Sequence, residues 1–455
     1  MKNYSHRSLT IVMILIMLLT SITACAPKEI TVETTAEIEK SEEITTSEPE
    51  VTEAPKTYLV IGKSDVPSTT VVRSNKVQKL TTEYSIFTEF RKEIGERLGG
   101  TLSINTDLVF TDEADNEDKL EIMVGNLDRA VSIELLSKVK ATGMDAFGIA
   151  VKGKKIAVCG SGIYLTYLGL DYLMETFIVP DENGNNVLKI EDDFEYIATF
   201  EDAYPDPEEI MNSGKEYCFY SLDFLANVPT SGGYSVIQGG GTDGKYAYYG
   251  MINKATAPET AYIYKFDLET WELVAVSKSL PTAHTNDITY DSKHHRLVIS
   301  YCSSKEGTTM SSPGIVFINP DDLSFIEYID APTKNRGLDY LPETNQYILA
   351  AGYNFYLTDE NFNTIRSFTC GFPQNTTQGM CTDGKYIYDP RWKSGSRYQI
   401  ITINTIEGNF VSAVNLYNID GEPENIFRDG NSFVMSCNSS DNVYRLALLY
   451  KNWWD

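Results

Sequence analysis

From residue 57 onward the apolar positions keep two different rhythms. Over 57–200, short alternating runs are interleaved with stretches of helical spacing. "TYLVIG" (57–62) predicts a strand, and "YSIFTEFRKEIGERLGG" (84–100) predicts a helix that stops at Gly-Gly. "KLEIMVGN" (119–126) reads as a buried strand running into a turn. "FGIAVKGKKIAVCGS" (147–161) reads as a hairpin around Gly153, and "GIYLTYLGLDYLMETF" (162–177) as a second helix. Strands mixed with helices predict an α+β domain over 57–200, followed by a linker over 201–215.

From 216 to 455 the helical spacing is gone. Short apolar and aromatic runs alternate with Asp-Gly, Asn and Pro turns. One phrase is written twice, as "GTDGKYAYYG" (241–250) and "CTDGKYIYDP" (381–390). Aligned on their hairpin turns, five segments share a strand–turn–strand order: "VIQGGGTDGKYAYYG", "HTNDITYDSKHHRLVIS", "KNRGLDYLPETNQYILA", "TTQGMCTDGKYIYD" and "EPENIFRDGNSFVMS". They recur at intervals of about 42–50 residues, as expected of a repeat architecture. Each of the first four is followed by two further strand-like runs, making four strands per repeat. The fold class read from this is multidomain, an α+β domain followed by an all-β propeller of five blades. The fifth segment has one further strand, "NVYRLALLYK", so "EYCFYSLDFL" (216–225) is expected to complete the last blade and close the ring. A β-sandwich with coincidental turn spacing is the alternative.

Counting back five positions from the hairpin Asp, or its equivalent, selects Gln238, Asn286, Arg336, Gln378 and Glu424. All five are polar. The next position holds Gly239, Asp287, Gly337, Gly379 and Asn425. In a propeller the first strand of each blade lines the central axis, so the five side chains are expected around one mouth of the ring. Amides, one Arg and one Glu suit a glycan, a small polar molecule or a partner protein. Filling of a narrow channel by polar residues and water is the bland alternative. Trp392, just beyond a predicted inner strand, is a candidate rim aromatic. His284, Asp287 and Glu424 are the candidates for any acid–base chemistry. Gly125-Asn126 and Asp128-Arg129 either line a site or form a turn and a helix start.

The first 25 residues are an address. Lys2, His6 and Arg7 precede the apolar run "LTIVMILIMLLTSI", which ends at Ile22-Thr23-Ala24-Cys25. That tetrad resembles a bacterial lipobox, which implies a lipid on Cys25 and a place on the outer face of the cytoplasmic membrane. A plain secretion signal is the other reading. Residues 26–56 are Thr, Glu, Ser and Pro, too acidic and too polar to fold, and read as a tether. "KLEIMVGNLDRA" with "FGIAVKGKKIAVCGSGIYLTYLGLDYLMETF" resembles the accessory domain N-terminal to catalytic barrels in bacterial glycoside hydrolases of the hexosaminidase and α-glucuronidase kind. In that family the domain is non-catalytic, and no downstream barrel follows here.

The net charge is −26, from 64 acidic and 38 basic residues, which argues against nucleic acid as a partner. The six cysteines after Cys25 form no C-x-x-C pair and are expected to be mostly buried thiols. One histidine near the axis makes no His-rich zinc site. "QGGGTDG" matches a nucleotide-loop pattern but has no following helix. Neither metal nor cofactor is expected. Two functions remain: a lipid-anchored surface binding protein, or an extracellular carbohydrate-active enzyme with carboxylates at the mouth.

Overall fold

The computed structural model describes residues 56–79, 81–108, 118–230, 236–253, 260–280, 282, 284–301, 313–372, 375–393, 399–417, 419, 421–438 and 441–453. The expected signal with Cys25, the tether up to residue 55, and Cys302 lie outside them.

Over 58–200 three helices pack on a mixed sheet. They are α1 (Thr82–Leu98), α2 (Ala130–Ala141) and α3 (Ile163–Phe177). Helix α1 begins where the Thr81 side chain accepts a hydrogen bond from the Tyr84 N–H, and it ends at Gly99. Its residues Ile86, Phe90, Ile94 and Leu98 fall four apart. They join Val71, Ile122 and Ile149 of the sheet in one buried cluster. The sheet has six strands in the order Ser103–Thr106, Thr70–Arg73, Glu121–Val124, Lys155–Gly160, Asp145–Lys152, Glu195–Phe200. The first four run parallel to one another, and the last two are added by antiparallel pairings. Every residue of Glu121–Val124 is buried, as in strands covered on both faces. Periodicity over this region carried the hairpin and the helices at 84–100 and 162–177, but neither α2 nor any sign of the parallel order.

From Tyr217 the named elements are all strands. Three antiparallel sheets of four consecutive strands begin at Val236–Thr242, Thr285–Asp291 and Gly337–Leu341. The remaining nine strands form one larger sheet. At one end Thr376–Thr377 and Cys381–Thr382 pair with Tyr386–Trp392, followed by Gln399–Thr405 and Phe410–Tyr417. At the other end lie Pro423–Asp429, Ser432–Cys437, Asn442–Tyr450 and Tyr217–Asn227. Tyr217–Asn227 pairs antiparallel with Asn442–Tyr450, so an early strand completes the last group. The two ends meet where Phe219 and Tyr220 pair in parallel with Leu416 and Tyr417. The described chain is thus mostly β, in several small sheets. The strands that open the sheets touch in a cycle: Val236–Thr242 with Thr285–Asp291, then Gly337–Leu341, then Cys381–Thr382, then Pro423–Asp429, and back to Val236–Thr242.

The repeated phrase is repeated bond by bond. Thr242 Oγ1 donates to the Tyr246 carbonyl, and Asp243 Oδ1 accepts from the Lys245 and Tyr246 N–H groups. Thr382 and Asp383 make the same bonds to Tyr386 and Lys385. Tyr248 and Tyr388 each donate their hydroxyl to the other carboxylate oxygen, at 2.6 and 2.9 Å. Gly244 and Gly384 have φ of 87° and 88°, which the tight turn requires.

The two groups of elements share a core. Tyr220, Leu222, Ala447, Leu449 and Trp453 belong to the same buried cluster as Phe87 and Leu170. Trp453 lies edge-on to Tyr164 and Tyr167 of α3, with ring centroids 5.4 and 5.0 Å away. Asp223 of Tyr217–Asn227 accepts the Ile163 N–H at 2.9 Å and so caps α3, whose own preceding residue, Gly162, offers no side chain. Cys159, Cys218, Cys370, Cys381 and Cys437 are buried and form no disulfide. Among the described residues no helix is long and apolar enough to cross a membrane.

Trp453→Ala is expected to destabilise the folded chain by about 3–5 kcal/mol, the usual cost of emptying a buried aromatic site. Urea unfolding followed by tryptophan-independent circular dichroism checks it; an unchanged midpoint would show that the seam does not depend on this ring.

Candidate functional site

The five strands of the cycle bring distant residues to one place through small side chains. A Cβ on Gly239 would overlap the Asp287 backbone, one on Gly240 the Asn425 side chain, and one on Gly241 the Ile288 carbonyl. One on Gly379 would lie 2.7 Å from Asn425 Cα, and one on Gly337 would meet Met380 and Gly379. So Gly239, Asp287, Gly337, Gly379 and Asn425, each one residue past the predicted mouth residues, converge as a packed plug.

Asp287 is the centre of that plug and is fully buried. Its Oδ2 accepts the N–H groups of Leu338 at 2.8 Å and Met380 at 2.9 Å, and its Oδ1 accepts the Ile288 N–H at 3.1 Å. Three segments are tied by one side chain. Burial pushes its pKa well up, and the N–H groups of Leu338 and Met380 pull it back. Three converging donors suit the ionised form. Asp339 repeats the device one step deeper, accepting from Thr289 Oγ1 at 2.6 Å, the Tyr340 N–H at 2.8 Å and the Thr382 N–H at 2.7 Å. Burial raises its pKa to about 6 against those donors. These carboxylates hold backbone. Asp287, proposed from sequence as an acid–base candidate, has no exposed surface and its oxygens are committed to the frame.

The mouth residues fall into two groups. On the side of the fourth and fifth segments, Gln378 Nε2 donates to Glu422. Asn438 Nδ2 donates to Glu422 at 3.2 Å and also to Glu424. This makes a Gln378–Glu422–Asn438–Glu424 network, with Glu424 buried and Glu422 and Gln378 half-buried. Arg336 adjoins it through its backbone, whose carbonyl accepts the Gly379 N–H at 3.1 Å, and its side chain is exposed. Trp392 pairs with Thr376 two residues from Gln378 and is half-buried. On the other side Asn286 Nδ2 donates to the His284 carbonyl at 2.8 Å, and both residues are half-buried. Gln238 is buried and its Nε2 bonds the Ile237 carbonyl at 2.8 Å.

Glu422 and Asn438 were missed from the sequence. Glu422 carried a signal: residues two apart on a strand share a face, and Glu422 stands two before Glu424. Asn438 carried none that register alone could read, because it reaches the mouth from the neighbouring strand's end. Of the earlier alternative site, Gly125 and Asn126 line a cavity elsewhere, and Arg129 is the residue that starts α2.

Chemically, the mouth offers two carboxylates leaning on one amide, a second amide and an exposed guanidinium. Such a set accepts hydrogen bonds from hydroxyl or ammonium groups and pairs with an anion at its edge. Among the described residues no group of three or more His, Cys, Asp or Glu side chains is placed to hold a metal ion.

No family model and no curated protein matches the chain. Solved structures that are similar over parts of it include a hydrazine synthase and a WD40 domain. Hydrazine synthase of Kuenenia stuttgartiensis is 11% identical over 47% of this chain, with a TM-score of 0.30, and this chain spans 59% of its length. The Pan2 WD40 domain of Neurospora crassa is 8% identical, with a TM-score of 0.29, over 53% of this chain and 92% of that one. Likenesses this weak carry no weight beside the chain's own geometry.

Asp287→Asn leaves one oxygen for the Leu338 and Met380 N–H groups, but it turns an N–H₂ toward the Ile288 N–H and removes the charge. It is expected to cost about 1.5–3 kcal/mol, the worth of a hydrogen bond to a charged group. Chemical denaturation checks it; a variant as stable as the parent would remove Asp287 from the frame.

Proposed function

We propose that this chain is a lipid-anchored surface protein of a bacterium, and that it binds a ligand at the mouth of a five-bladed β-propeller closed by the strand Tyr217–Asn227. The observation that carries the reading is the Gln378–Glu422–Asn438–Glu424 network beside the exposed Arg336. Its members come from three segments, Arg336 from the third, Gln378 from the fourth, and Glu422, Glu424 and Asn438 from the fifth, and their polar ends gather above a packed plug. A glycan or a small polar molecule with hydroxyl or ammonium groups suits these acceptors. The five-fold count is supported by the cycle of contacts among the sheet-opening strands and by the repeated Thr-Asp-Gly-Lys-Tyr hairpins.

The lipid attachment rests on the Ile22-Thr23-Ala24-Cys25 pattern, and the acidic stretch to residue 56 acts as the tether. The α+β unit over 57–200, with its likeness to hydrolase accessory domains, serves as a platform between tether and propeller. The mature chain sits on the outer face of the cytoplasmic membrane, and its acidic surface turns away nucleic acid.

A carbohydrate-active enzyme is the second reading, and Glu422 is the observation that favours it. With Glu424 it supplies the pair of carboxylates a glycosidase needs. Both lean on the Asn438 amide rather than facing each other across open space, which favours capture over cleavage.

Two experiments test this reading. On a glycan and small-molecule array, Glu422→Gln with Glu424→Gln is expected to weaken capture by roughly tenfold or more, the equivalent of about 1.4 kcal/mol, while the fold is kept. Polysaccharide hydrolysis by the parent, lost in that double variant, would replace binding with catalysis. Separately, Cys25→Ala is expected to move the chain from the detergent phase to the aqueous phase on Triton X-114 partitioning. A chain that partitions alike in both forms would remove the anchor.

A further inference from the structure

A second site lies away from the mouth, where the sheet of the first unit meets the strand Tyr217–Asn227. A cavity of about 180 Å³ opens at the carboxyl ends of the parallel strands Thr70–Arg73, Glu121–Val124 and Lys155–Gly160. That end of a parallel sheet is where open α/β folds hold small ligands. We propose that this cavity binds a small zwitterion of amino-acid size, its ammonium between Glu83 and Asp223 and its carboxylate toward Arg73.

The size argument comes first. A cavity of about 150 Å³ takes benzene, so this one suits a ligand of roughly six to ten heavy atoms. The lining then selects its chemistry. Ile86, Phe87 and Leu136 supply apolar wall, while Glu83, Asp223, Arg73 and Lys140 supply two charges of each sign. A neutral molecule with separated charges and an apolar branch matches that wall.

The hydrogen bonds indicate which groups are available. Asp223 Oδ1 accepts the Ile163 N–H, and Asp223 stands opposite Arg445 in the ladder. Arg73 gives Nη1 to the Ser74 and Val77 carbonyls, at 2.8 and 3.0 Å. The Glu83 carboxylate has no hydrogen-bond partner among the described residues. Burial and the nearby Asp223 charge raise its pKa, and Arg73 opposes them. A cation from outside satisfies Glu83 and offsets the crowding of the two acids. Asp223 comes from the later unit and Glu83 from the first, so an occupant ties the two together and stabilises the fold by linkage.

The test uses the full chain and L-leucine, with isopentylamine and 4-methylpentanoate as its two half-charged counterparts. Calorimetric titration is expected to give binding of L-leucine and a rise in the unfolding temperature. Each half-charged compound is expected to bind at least about tenfold more weakly. Glu83→Gln, and separately Leu136→Trp to fill the cavity, are expected to weaken L-leucine by about tenfold with circular dichroism unchanged. The proposal falls if the folded parent binds none of the three at about 10 mM, a Kd range that leaves almost no affinity. It also falls if isopentylamine binds as well as L-leucine, or if both variants leave binding untouched. Should a variant fail to fold, the comparison of the three compounds on the parent still decides.

Discussion

The Asp287 carboxylate accepts hydrogen bonds from its own strand, from Leu338 and from Met380, and the middle of the β unit depends on that junction. Sheets arranged around an axis face a particular difficulty there. Their innermost strands have no further strand to pair with, so backbone N–H groups turned inward lack a ladder partner, and leaving them bare costs free energy. Asp287 answers for Met380, which lies between the two short pieces Thr376–Thr377 and Cys381–Thr382. The fourth inner strand is broken at Gly379, whose φ is 81°, and there the Gly379 N–H turns to the Arg336 carbonyl and the Met380 N–H to Asp287. Glycines at 239, 240 and 241 let the backbones approach closely enough for this to work.

Once the plug is in place, the mouth above it follows. Side chains one residue earlier on each segment stand at its rim, and what they do depends on local register. Gln238 turns onto its own backbone, whereas Gln378 reaches Glu422 and, through Asn438, the chain of contacts extends to Glu424. The rim is therefore chemically lopsided, with its acids on one side. The seam with the first unit follows a different logic. There Asp223 caps a helix of the other unit, and Trp453 lies edge-on to both Tyr164 and Tyr167, so contacts at both ends of the later unit hold the earlier one.

Much of this was legible in the residues, because it is written in local chemistry. Thr-Asp-Gly-Lys-Tyr recurs because one hairpin needs an acceptor for two successive N–H groups and a glycine with positive φ, and both copies meet those needs identically. The shared register of Gln238, Asn286, Arg336, Gln378 and Glu424, and of the small or polar residues after them, was legible because repeats align; the packing of those later residues into a plug was not. What was not legible depends on partners distant in sequence. The parallel order of Thr70–Arg73, Glu121–Val124 and Lys155–Gly160 leaves no local trace in runs of four to six residues whose middles are buried. The short parallel pairing of Phe219–Tyr220 with Leu416–Tyr417 joins the two ends of the larger sheet through two residues a side, too few for any pattern. Asp287 looked like chemistry because acids near an axis often are; only the three donors around it show that it serves the backbone.

The junction at Asp287 can be read directly by amide hydrogen exchange on the intact chain, followed by mass spectrometry of peptides covering 336–341 and 378–383. If the carboxylate holds the Leu338 and Met380 N–H groups as described, these amides exchange only through global unfolding and rank with the slowest in the molecule. Exchange of the Met380 amide as fast as that of an exposed turn such as 243–245 would contradict the account, because the plug would then not be closed.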